Sequence, residues 1–105
     1  MSLSLPLHNL TRVATSAAIV AGAGHRVYKV VLYGTSDAAS LKLYDAASAT
    51  GTEVFGTIAS FTDADASAAA PTDHDFSAVG GVNFPNTGIY AAIAGTNAVA
   101  YVWWD

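Results

Sequence analysis

Two acidic pairs, Asp63-Ala-Asp65 and Asp73-His74-Asp75, form the densest set of metal-ligating side chains in the sequence. A hard cation such as calcium takes several carboxylate oxygens from a flexible segment, so Asp63, Asp65, Asp73 and Asp75 are the candidates for such a site. Their spacing departs from that of an EF-hand. Counted from Asp63, the sixth position is Ala68 where the loop needs glycine for its sharp turn, and the twelfth is His74 where it needs a bidentate glutamate. The bland reading is a solvated acidic loop, so no metal and no cofactor are assigned.

Nucleophilic catalysis needs a nucleophile, a base and an orienting group that meet in space. His8, His25 and His74 stand among many serines and threonines, so a triad can always be imagined and the abundance carries no signal. There is no G-x-S-x-G, no H-E-x-x-H and no phosphate-binding G-x-x-x-x-G-K-[ST], and Gly22-Ala-Gly24 does not continue as a dinucleotide fingerprint. Glu53 is the single glutamate and falls inside an expected strand, while the aspartates fall in turns, which does not supply the paired carboxylates of glycoside hydrolysis. The reading is a protein that is not an enzyme, with no catalytic residue.

Aromatic side chains are the remaining chemical resource: Tyr28, Tyr33, Tyr44, Phe55, Tyr90, Tyr101, Trp103 and Trp104. They are enough to stack on sugars, although most are expected in a core. Trp103 and Trp104 are adjacent, so in a strand they point to opposite faces, and a single core covers at most one of them.

The charge content bears on the same point. Only 11% of the 105 residues are charged, against about 25% in ordinary soluble domains. The charge-free run from Phe76 to Trp104 ends in the two tryptophans. Such a surface suits contact with other protein. Four cations, Arg12, Arg26, Lys29 and Lys42, in a chain of net charge -4 are not the basic footprint that nucleic acid needs. The apolar stretch Ala17 to Ala23 is far shorter than the roughly 20 residues that span a bilayer, and Met1 to Leu7 lacks the charged start of a signal peptide. The expectation is no membrane partner. No cysteine is present, so neither a disulfide nor a thiolate metal site is available.

Short runs rich in β-branched and aromatic residues, set between Gly, Asp, Asn, Ser and Pro clusters, predict an all-β protein: a compact antiparallel β-sandwich or barrel of about six or seven strands. The length fits one domain, placed at residues 13–105 behind an extended N-terminal arm at 1–12. The strand Arg26 to Gly34 is apolar on both faces, with Val27, Lys29, Val31 and Tyr33 on one and Tyr28, Val30 and Leu32 on the other, and is expected at the centre of a sheet. It pairs with Ser40 to Asp45 as a hairpin in this reading. Val13 to Val20 is taken as a first strand, Thr52 to Ala59 as a strand bulged at Gly56, and Ser60 to Asp75 as a long exposed loop. Pro85-Asn86-Thr87-Gly88 signals a turn, and Ile89 to Ala94 with Ala98 to Trp104 reads as a terminal hairpin.

The stretch 80–98, GGVNFPNTGIYAAIAGTNA, closing in Tyr-Val-Trp-Trp-Asp, resembles small structural proteins of tailed bacteriophages, and 42–55, KLYDAASATGTEVF, is similar in character. The resemblance is to virion components of the capsid decoration, or cement, type. It implies a homo-oligomer, a trimer in this reading, that sits on the outer capsid surface of the virion after synthesis in the host cytoplasm. There it would bind the major capsid protein and stabilise the shell, and it brings no catalytic residues. Leu3, Leu5 and Leu7 of the arm, with Tyr90, Tyr101, Trp103 and Trp104, are the candidate interface residues. Two other readings stand beside it: another virion subunit, of tail, neck or fibre, and a small carbohydrate-binding β module using exposed aromatics.

Overall fold

The apolar runs form strands because each lays a strip of Val, Ile, Leu or aromatic side chains on a pleated surface, and the intervening glycines permit sharp reversals. The computed structural model describes residues 8–34, 38–56, 58, 60–61 and 72–105. Ten strands run through them: β1 (Asn9–Val13), β2 (Ala17–Ala21), β3 (His25–Tyr33), β4 (Ala39–Asp45), β5 (Thr52–Glu53), β6 (Ser60–Phe61), β7 (Thr72–Asp75), β8 (Val82–Phe84), β9 (Gly88–Ala94) and β10 (Val99–Trp104). A single 3-10 turn at Ser77–Val79 separates β7 from β8.

The strands make two antiparallel sheets. The first has the order β1-β10-β3 with β7 and β8 side by side along the far edge of β3, and the second has β2-β9-β4 with β5 and β6 along the far edge of β4. Counting each pair of short edge strands as one column, both sheets have four columns, and their order is that of a jelly roll. The all-β sandwich expected from the sequence is therefore the fold, with more strands than expected because the edge columns are divided.

The core lies between the sheets. The first sheet contributes Val13, Val27, Val30, Leu32, Phe84, Ala100 and Val102, and the second contributes Leu41, Leu43, Ile89 and Ala91, all buried. Burial of this kind stabilises by roughly 25 cal/mol per Å² of apolar surface.

Neither expected hairpin forms. β3 belongs to the first sheet and β4 to the second, and β9 and β10 are divided in the same way. Each strand of these pairs carries its own largely apolar inner strip, so the two strips meet face to face across the core. Val13 to Val20 is likewise two strands, broken at Ala14 to Ser16 where the chain passes from one sheet to the other. Residues 9–12, read as arm, are part of β1, paired with β10 from Asn9 opposite Trp104 to Val13 opposite Ala100. Thr72 to Asp75, read as the end of a loop, pairs with Lys29 to Leu32. The strand expected over 52–59 is interrupted after Glu53, yet the backbone N–H groups of Val54 and Ile58 still reach the carbonyls of Leu43 and Leu41.

Candidate functional site

The register of the first sheet decides which side chains share its solvent face. In β3 the pairing runs Lys29 opposite Trp103 and then Val27 opposite Trp104, so Tyr28 is an extra residue in a bulge. The bulge turns Val27 inward beside Val30 and Leu32, which corrects the expected grouping of Val27 with Val31 and Tyr33. Lys29, Val31 and Tyr33 remain on the outer face.

Two rows cross that face from β1 to β7. One is Leu10, Trp103, Lys29 and Asp75; the other is Arg12, Tyr101, Val31 and Asp73. Val99 and Tyr33 form a third, shorter row. Leu10 is 54% exposed and Tyr33 is 38% exposed, while Tyr101 and Trp103 are half-buried. The rings of Tyr33 and Tyr101 meet edge to face at 5.8 Å, and the Lys29 ammonium lies 5.4 Å from the centre of the Trp103 ring, a cation–π contact. Aromatic and Arg side chains held on a rigid sheet are the residue types enriched at the centres of protein interfaces.

Charge on this face is ordered. Lys29 pairs with Asp73 at 3.7 Å. Asp75 accepts hydrogen bonds from the backbone N–H and the hydroxyl of Ser77, which hold its carboxyl below the usual range. Arg12, exposed at the β1 edge, has no ion pair or hydrogen bond among the described residues. The other cations are engaged: Arg26 donates to the Gly80 carbonyl, and Lys42 pairs with Glu53 at 3.6 Å.

The expected interface residues are thus divided. Tyr101 and Trp103 lie on this face, but Trp104 points inward, packs against the core and donates from its indole nitrogen to the Thr11 hydroxyl at 3.0 Å. Tyr90 is on the outer face of the second sheet, edge to face with Tyr44. Leu3, Leu5 and Leu7 lie outside the described residues, as do Asp63 and Asp65. Asp73 and Asp75 are committed to Lys29 and Ser77, and no group of three or more metal-ligating side chains occurs among the described residues. Leu10, Arg12 and Lys29 were not singled out as site residues from the sequence, and Tyr33 only as one of the aromatics able to stack on sugars. Period-two alternation of Lys29, Val31 and Tyr33 marked three positions of the face, whereas Leu10 and Arg12 became visible only through the pairing of β1 with β10.

Two further polar features belong to the frame. Asp45, at the end of β4 and buried, accepts hydrogen bonds from the backbone N–H groups of Asn86 and Thr87 and from the Asn86 amide. His74 faces inward at the β7 edge near Phe76, and its Nε2 is buried with no hydrogen-bond partner among the described residues. No helix among the described residues is long and apolar enough to cross a membrane. Comparison with protein-family models, with curated proteins and with solved structures finds no match for the chain.

Proposed function

We propose that this chain is a structural subunit that works by association: a capsid decoration protein of a tailed bacteriophage, binding the outer surface of the major capsid shell and stabilising it as a homo-oligomer. The observation that carries the reading is the outer face of the first sheet, where Leu10, Tyr33, Tyr101 and Trp103 stand on a rigid support between Arg12 at one edge and Asp73 and Asp75 at the other. Half-exposed aromatic rings on a sheet lose little side-chain entropy when covered, which favours protein contact. Jelly rolls occur in viral capsid proteins and also in lectins, so the topology is compatible with the reading without specifying it. In this reading the sheet face serves self-association and the segment before β1 contacts the shell.

Mixing the purified protein with undecorated shells, then measuring retention after sedimentation and the heat resistance of the particles, tests the proposal. Retention with a raised disruption temperature is expected; failure to bind shells would sink it. The carbohydrate-binding reading is favoured by one observation, the exposed Tyr33 ring beside Tyr101. Glycan-array binding lost on Tyr33→Ala would support it over the capsid reading.

A further inference from the structure

We infer that two copies of this chain pack the outer faces of their first sheets together, related by a two-fold axis parallel to the strands. The inference rests on the associating role proposed above and specifies its geometry. Across each row the face runs from β1 through β10 and β3 to β7, with Leu10 and Arg12 at one edge, Asp73 and Asp75 at the other, and Trp103, Lys29, Tyr101 and Val31 between.

A two-fold axis along the strands reverses the order of the columns in the facing copy while keeping each row opposite itself. Arg12 then meets Asp73 of the second copy, Tyr101 meets Val31, Trp103 meets Lys29, Val99 meets Tyr33, and Leu10 meets Asp75. Each contact is made twice, as an isologous interface requires. An axis across the strands would instead set β1 against β1, and so Arg12 near Arg12. Charge order therefore selects one arrangement of the two; the strands of the facing sheets lie nearly aligned in either. The partner is a second copy because the face complements itself: Arg12 has no ion pair or hydrogen bond among the described residues, and Asp73, which already pairs with Lys29, lies where the symmetry delivers it.

The test is the mass of the full chain in solution, by sedimentation velocity over a concentration series. The native chain is expected as a dimer. Arg12→Asp, which reverses an exposed charge, should raise the dissociation constant about tenfold, because like charges then oppose each other at two places. Asp73→Arg should do the same, and the double variant Arg12→Asp with Asp73→Arg should return to within about threefold of the native value. Unchanged circular dichroism spectra check that the variants fold. A monomeric native chain, a trimer indifferent to the charge reversals, or a double variant no better than the singles would each overturn the inference. Shell retention is read separately: a chain that dimerises as described but does not bind shells defeats the capsid reading alone, and a monomer that binds shells defeats only the dimer.

Discussion

Asp45 accepts the backbone N–H of Thr87 at 2.8 Å, joining the end of β4 to the turn that opens β9 across 42 residues of sequence. The same carboxylate takes the Asn86 backbone N–H and amide, so one buried acid organises the whole Pro85 to Gly88 turn. These bonds explain why a strand that ends on a charged residue can close against the core.

Acid should loosen the protein through this group. Burial pushes the Asp45 carboxyl up, but the hydrogen bonds from Thr87 and Asn86 outweigh it and hold the carboxyl below its ordinary range. A carboxyl whose folded value is depressed contributes stability that is complete above its unfolded value of about 3.9 and is lost as pH falls through the folded value. Denaturant unfolding at pH 7 and pH 3 should therefore show a drop that Asp45→Asn largely abolishes. At pH 7 we expect Asp45→Ala to cost about 3 kcal/mol, because it strands buried donors.

Gly88 should tolerate no side chain. Its φ is +111°, and a Cβ there would overlap the Val20 carbonyl of the neighbouring strand β2. Both the left-handed backbone and the close approach oppose substitution. Gly88→Ala is expected to cost about 2–4 kcal/mol by thermal or chemical unfolding, whereas Gly24→Ala, with no atom within 4 Å of the added carbon, pays only the conformational term.

The adjacent tryptophans should separate by role. Trp104 donates to Thr11 and packs on the core, so Trp104→Phe should cost about 1–2 kcal/mol. Thr11→Val should cost a similar amount alone and much less in the Trp104→Phe background, since the bond is then already absent. Trp103→Phe, on the outer face, should change unfolding of the monomer by no more than about 0.5 kcal/mol. A double-mutant cycle with no coupling between Thr11 and Trp104 would contradict this assignment.

Much of the sandwich was legible in the sequence because period-two patterns and glycine turns are local signals. Leu41 and Leu43, two residues apart in Ser40 to Asp45, share the buried face as the strand period requires, and the opposed directions of Trp103 and Trp104 followed from adjacency alone. What local signals do not carry is partner choice. β3 and β4 are joined by a short connection, which reads as a hairpin, yet β3 pairs with β10, whose residues lie about two-thirds of the chain away. The bulge at Tyr28 was equally silent: nothing in RVYKVVLYG marks the extra residue, and one residue of slip moves Val27 to the other face. The candidate face is a product of that long-range register, so Arg12 and Asp73 come to opposite ends of one row without any motif joining them.

Truncation should reveal where the domain begins. β1 supplies Val13, 4% exposed, to the core and Thr11 to Trp104, while His8 stacks on Tyr28 at 3.9 Å. Removing residues 1–7 leaves all of these in place, and the melting temperature should move by no more than about 2 °C. Removing residues 1–13 takes away an edge strand, exposes the flank of β10 and uncovers the Trp104 ring, a loss of about 3 kcal/mol or more. The comparison bears on function as well as stability. If the short truncation keeps its melting temperature but loses retention on capsid shells, the segment before β1 acts in docking; if it keeps both, docking must be carried by the sheet faces instead.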